Sequence, residues 1–160
     1  NDSLSSMKMG KLALSVLLVF IFISFLHPEF NPDLFWHLAS VRKASATNQW
    51  LLFSETFSFT LAGHPWVNFE WLFEWIAWAL YQAGSFRLLA LIQAVLATGI
   101  VFLLAHYTLH DLRRQGLPCD FFERSICVLI AAELLTPRVS MQPELFGLLF
   151  LVLFFFRRTL

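Results

Sequence analysis

Charge is scarce in this sequence. Only 14% of its 160 residues are Asp, Glu, Lys or Arg, and the 11 basic and 11 acidic side chains cancel. Ordinary soluble domains carry about 25% charged residues. Without a basic excess the chain has no electrostatic footprint for nucleic acid, which is excluded as a partner. Cysteine is scarce too. Cys119 and Cys127 are too few for a disulfide framework and lack the spacing of a metal-thiolate site. What fills the chain instead is apolar: 58% hydrophobic residues, with 19 Phe and six Trp, and a mean hydropathy of +0.67. That content excludes intrinsic disorder. A water-soluble globule of this size would also have to expose large apolar patches, which monomers rarely do. The composition therefore predicts an all-α integral membrane protein. Because the chain starts at Asn1 and stops after a hydrophobic run at Leu160, it reads as the N-terminal part of a larger polytopic protein. The remaining transmembrane helices of that protein would be its partners.

Four spans are expected, at about 12–27, 88–109, 121–136 and 140–156. The first follows Lys8 and Lys11 and ends at His27-Pro28 without a small-residue cleavage site, so it reads as an uncleaved span. Residues 88–109 are the cleanest, reaching about 33 Å as a helix, with only Gln93, Thr98 and His106 interrupting the apolar run. The last is the shortest. It crosses about 30 Å of hydrocarbon only if its helix starts near Val139 and Glu144 lies at the interface.

The segment 67–83 decides the topology. At 100° per residue, Asn68, Glu70, Trp71, Glu74, Trp75, Trp78, Tyr81 and Gln82 share one arc of about 160°. Apart from Val67, the apolar residues fill the other. A spanning helix would not be split this way, since each central acid costs about 2.5–3.5 kcal/mol on insertion scales. The expectation is an amphipathic helix on the outer membrane surface. Basic residues agree. Without a crossing at 67–83, Lys8, Lys11, Arg113, Arg114, Arg124, Arg157 and Arg158 fall inside, seven of the 11. With a crossing, only four do, so the non-crossing topology is preferred. The N-terminus is then cytoplasmic, and a long extracytoplasmic loop, 28–87, carries interfacial helices.

That loop holds most of the chemistry. Asn31-Pro32-Asp33 is a helix-start signal, with Asn as N-cap and Pro at N1, for a helix running to about Lys43. Leu34, Leu38 and Val41 form its lipid-facing stripe, and Asp33, His37 and Ser40 share another face. From Asn48 to Val67 the chain is extended, with a turn at Ala62-Gly63-His64-Pro65. Two helices joined by such a connector bring Asp33 and Glu70 to one surface, near His37 and His64. Such a set suits general acid–base work or a divalent cation, although neither spacing is a metal signature. The plainer alternative makes Asp33 a helix-dipole partner and Glu70 and Glu74 the solvated face of an interfacial helix. In the second outer loop, Arg138 and Glu144 are flanked by prolines. Arg138 suits a lipid phosphate or pyrophosphate, or snorkels to head groups. All six Trp lie between 36 and 78, either as an aromatic belt or as stacking partners for a sugar.

With a first span, an acid shortly after it in Pro32-Asp33-Leu34-Phe35-Trp36-His37, and the stretch Gly63-His64-Pro65-Trp66-Val67-Asn68-Phe69-Glu70-Trp71-Leu72, nearly all of residues 10–158 resembles the N-terminal part of the GT-C superfamily. These are polytopic glycosyltransferases that use polyprenyl-linked sugar donors, and the likeness is closest to bacterial members of unassigned acceptor. The resemblance implies sugar transfer at the extracytoplasmic face of the bacterial inner membrane, with inversion. It implies catalytic roles for Asp33, as general base or at a metal, and for Glu70 and Glu144. His37, His64, Trp66, Asn68 and Arg138 would bind substrate. The chain departs from the family in lacking an acid pair after the first span and an Asp-x-Asp in the second loop, where Gln142-Pro143-Glu144 stands. Metal dependence is therefore left open. A non-catalytic lipid-binding or assembly subunit is the alternative function.

Overall fold

The computed structural model describes residues 2–26, 31–116, 121–136 and 139–157, with backbone alone over 2–11 and at 121. The described residues form five helices and no strand: α1 (Asp2–Phe25), α2 (Pro32–Ala46), α3 (Trp71–Arg114), α4 (Phe121–Leu135) and α5 (Pro143–Arg157). They divide between two compact units. One comprises Asn1–Glu29, Ala90–Ser140 and Glu144–Leu160; the other comprises Phe30–Leu89 and Met141–Pro143.

In the first unit α1 packs on α4. A core of Ile21, Phe25, Ala94, Ala97, Ile100, Val101, Ala105, Val128, Ala131, Ala132, Leu135, Leu145 and Val152 joins α1, α3, α4 and α5. Alanine supplies five of these residues, and small side chains let helix backbones approach closely. Many larger apolar residues point the other way. Val16, Phe20, Val95, Leu129, Leu134, Phe150 and Phe154 are all exposed. Gln93, an interruption in the apolar run, is 2% exposed, and its Nε2 donates to the Val139 carbonyl at 3.4 Å. Among the described residues, one helix, Trp71–Arg114, is long and apolar enough to cross a membrane. Leu12–Phe25 forms a shorter apolar helix. α5 starts at Pro143 rather than near Val139. Its 15 residues, like the 15 of α4, reach about 22 Å at 1.5 Å per residue.

The second unit is built on α2, whose start follows the sequence signal closely. Asn31 is the N-cap, its Oδ1 accepts from the Asp33 amide at 3.0 Å, and Pro32 occupies the first turn. The helix runs to Ala46, one turn past Lys43, and leaves through Asn48 at φ 58°, a conformation Asn tolerates. The stripe expected to face lipid is buried instead: Leu34, Leu38 and Val41 are 4%, 6% and 2% exposed. The connector that follows is a hairpin-like loop without strands. A single antiparallel bridge joins Ser54 and Pro65, and Gly63 at φ 83° makes the turn. The Glu55 carboxylate accepts from the Ser58 and Phe57 amides at 2.8 and 2.6 Å. Those two amides, Ser58 first, hold its carboxyl below the usual range.

α3 is interrupted at Gly84 (φ −155°, ψ 20°) and Ser85 (φ 58°, ψ −160°). Residues 71–83 are thus a separate helix, and 86–114 alone would reach about 43 Å. At Gly84 an added Cβ would meet Leu88 Cβ at 2.6 Å, too close for any side chain. Ser85 sits in a region that is essentially glycine-only and costs a larger residue about 1–3 kcal/mol. Gly84→Ala is expected to lower stability by about 1–3 kcal/mol through overpacking, whereas Ser85→Gly should raise it. Thermal unfolding in detergent of the two variants beside the parent checks both signs.

Candidate functional site

The helix 71–83 does not present its carboxylates to solvent as the amphipathic reading expected. Its buried line runs through Phe73, Glu74 and Ala77, at 7%, 2% and 0% exposure, while Leu72 and Ile76 are exposed on the opposite side. At 100° per residue Phe73 and Ala77 close the apolar arc on one side of its boundary, and Glu74 lies about 40° inside the polar arc on the other. The protein-facing side of the helix follows that boundary, and the exposed face is apolar. Glu74 as a solvated residue is thereby corrected.

A carboxylate out of water needs partners, and Glu74 has two. His37, on α2 and itself 4% exposed, places Nδ1 3.2 Å from Glu74 Oε1. Asn68 Nδ2 donates to Glu74 Oε2 at 2.6 Å. Asn68 is set for this by its own turn, since its Oδ1 accepts from the Glu70 amide at 3.0 Å. Glu70, just ahead of the helix, brings Oε2 to 3.6 Å from His37 Nε2, with its side chain 46% exposed. At that length the contact is not a hydrogen bond. When Nδ1 carries the proton donated to Glu74, the Nε2 lone pair faces the gap towards Glu70. Asn68 and Glu74 therefore fix the imidazole, and the half-exposed Glu70 stands across from its free nitrogen.

Aromatic rings wall this cluster. His37 meets Phe73 edge-on at 5.1 Å, Trp36 lies 5.2 Å from His37, and Trp66 packs edge-on against Trp36 at 5.1 Å. Trp50 packs on Trp71 at 5.4 Å, and the Trp50 carbonyl accepts from Trp75 Nε1 at 2.9 Å. With Trp78 stacked on Tyr81 at 5.8 Å, all six tryptophans are engaged in contacts within the protein.

The structure brings together His37, Asn68 and Glu70 from the expected site, with Trp66 beside them through Trp36. It does not bring in the others. Asp33 is exposed at the start of α2. His64 is exposed in the connector, where its carbonyl accepts from the Glu55 amide at 2.8 Å. Glu144 is exposed in the first turn of α5, in the other compact unit. Arg138 and the end of the first span at 27 lie outside the described residues. Ser40, expected on a face with Asp33 and His37, is buried, and its hydroxyl has no partner among the described residues. Among the described residues no group of three or more His, Cys, Asp or Glu is arranged to hold a metal ion. The residue that sequence reasoning missed is Glu74. The only sequence signal for it was its place one helical turn after Glu70, near the edge of the polar arc.

No family model, no curated protein and no solved structure matches this chain.

Removing one member of a buried, hydrogen-bonded charged pair typically costs about 3–5 kcal/mol. Glu74→Leu is expected to lose about that much, because it strands the His37 and Asn68 nitrogens. Glu74→Gln can still accept from Asn68 and should lose only about 1–2 kcal/mol. Chemical unfolding in detergent should rank the variants parent, Gln, Leu. A Leu variant as stable as the parent would show that the pair contributes nothing.

Proposed function

We propose that this chain belongs to a polytopic membrane enzyme that transfers a sugar from a polyprenyl-phosphate donor to an acceptor at the extracytoplasmic face of a bacterial inner membrane. The observation that carries the reading is the buried Glu74–His37 pair, with His37 Nε2 directed at the half-exposed Glu70. A carboxylate that orients an imidazole through one nitrogen leaves the other to act as general base. In the proposed step, His37 Nε2 takes the acceptor hydroxyl proton as that oxygen bonds to the anomeric carbon. The bond from that carbon to the donor phosphate oxygen breaks, and the phosphate leaves with the electron pair. A single displacement of this kind inverts the anomeric centre. His37 replaces Asp33 as the base in this reading, because Asp33 is exposed one helical turn away and touches none of the cluster. The surrounding Trp36 and Trp66 rings suit a sugar face, and Glu144 and Arg138 keep only the roles that the GT-C resemblance implies.

The membrane topology that accompanies this reading has four spans, α1, the 86–114 helix, α4 and α5, the last two crossing only where the bilayer thins towards their length of about 22 Å. The outward Val16, Phe20, Leu129, Leu134, Phe150 and Phe154 support it. The exposed Leu72 and Ile76 support an interfacial position for 71–83. In a background without Cys119 and Cys127, single cysteines at the exposed positions Gln82, Gln115 and Thr136 are tested with a membrane-impermeant thiol reagent on intact cells. Labelling is expected at 82 and 136 and not at 115. The reverse pattern places 67–83 across the membrane and overturns the topology.

The near-complete burial of His37 favours a second reading, in which the cluster is a structural pin in a non-catalytic lipid-binding or assembly subunit. Activity separates the two. Membranes containing the full chain are incubated with undecaprenyl phosphate carrying tritiated mannose, glucose or aminoarabinose, and label released from the lipid is counted. His37→Asn is expected to lower transfer by about 10²–10⁴-fold, the usual worth of a general base, with insertion unchanged. Asp33→Asn should change it by less than about tenfold. Full transfer by the His37 variant rules out its role as base.

A further inference from the structure

The first compact unit contains a second candidate site, unrelated to the His37 cluster: a largely apolar cavity with basic residues in its lining. Between α1, α3 and α4 lies a cavity of about 190 Å³, well above the roughly 10–15 Å³ that a single water needs. Among the described residues its polar lining comes from nitrogen-bearing side chains, His106, His110 and Arg113 of α3 and Arg124 of α4, and no carboxylate lines it. Among the described residues, two of these nitrogens are out of water without a hydrogen-bond partner: His110 Nδ1 and Arg124 Nε. The Arg124 Nε–H is a donor, and leaving it buried and unpaired costs about 1–3 kcal/mol, so an acceptor brought to it gains what the described residues leave unmet; His110 Nδ1 adds a second donor when it carries the ring proton. Asp111, the acid between His110 and Arg113 in sequence, has its Oδ2 held by Gln115 Nε2 at 2.8 Å. The remaining walls are apolar, including Leu14 and Leu18 of α1.

We infer that this cavity binds the phosphate head group of an anionic phospholipid, with the two arginines on the phosphate and the apolar wall against the glycerol and upper acyl chains. Arginine forks match phosphate oxygens. A free phosphate has no use for Leu14 and Leu18, which is why the lipid is the favoured source. The topology agrees, since Arg113 and Arg124 fall on the same side of the membrane as Lys8 and Lys11. That is the cytoplasmic leaflet, where basic pockets between helices recruit anionic lipid.

The test uses the full chain in nanodiscs of dioleoyl phosphatidylcholine, with or without dioleoyl phosphatidylglycerol, and reads thermal stability and co-purified lipid by mass spectrometry. Recovery of the chain in phosphatidylcholine discs reads the membrane assignment separately. Phosphatidylglycerol is expected to raise the melting temperature and to be retained preferentially. Arg113→Gln and Arg124→Gln should each weaken that retention roughly tenfold, and Arg124→Lys should keep part of it. Arg113 is exposed, so its variant folds even where the Arg124 variant does not. Equal retention by the parent and the Arg113 variant overturns the proposal. So does stabilisation by inorganic phosphate equal to that by phosphatidylglycerol, which would make the ligand a free anion.

Discussion

The compact unit around α2 depends on keeping one carboxylate, Glu74, out of water. At 2% exposure its charge is tolerable only with donors on both oxygens, and His37 and Asn68 provide them. The consequences spread outward. Asn68 serves Glu74 only because it caps its own turn through the Glu70 amide, which places Glu70 opposite the far nitrogen of His37. His37 is on the buried line of α2 together with Leu34, Leu38 and Val41, so orienting the imidazole also holds that helix against 71–83. The same contact that secures the packing thus creates the arrangement with chemical potential, an imidazole held at one nitrogen and directed at a half-exposed acid by the other.

The other compact unit, built from α1, the later part of α3, α4 and α5, follows a different rule. Its interior is lined with small side chains such as Ala94, Ala97, Ala105, Ala131 and Ala132, and many large apolar side chains are outside. In water the large residues would be buried by the hydrophobic effect. Where lipid covers them, they gain nothing from burial and the small ones permit close helix contact. Gln93 obeys the matching rule for polar groups, since it turns inward and donates to the Val139 carbonyl. Among the described residues of this unit Thr98, His110 and Arg124 are exceptions, each with a buried polar atom left unpaired, and the last two line a cavity between α1, α3 and α4.

Much of the local structure was legible in the residues. Asn31-Pro32-Asp33 marked the start of α2 because a side-chain oxygen before a proline can satisfy an early helix amide, and it does so. The turn at Gly63 was legible because its backbone needs φ above zero. The separation of 71–83 from the long apolar helix followed from the change in pattern around 84–87, and a break at Gly84 and Ser85 stands there. Pairing was not legible. Leu34, Leu38 and Val41 read as a lipid stripe because periodicity identifies an apolar face without saying whether lipid or protein will cover it. Glu74 read as solvated for the complementary reason. A charge is expected outside unless partners 37 residues away in the chain and six residues away in the preceding turn converge on it.

Composition and pattern alone determined that this protein is helical, more apolar than an ordinary soluble domain, and divided between long apolar runs and a polar, tryptophan-rich stretch. Those properties are set by transfer energies and backbone preferences, which act residue by residue and need no partner. Tertiary structure alone decided which of several plausible acids is buried, that His37 rather than Asp33 stands in a defined polar cluster, and that two arginines and two histidines line one cavity. These depend on the meeting of side chains far apart in the chain, and the energy of a charge is set by whichever groups come within about 3 Å of it.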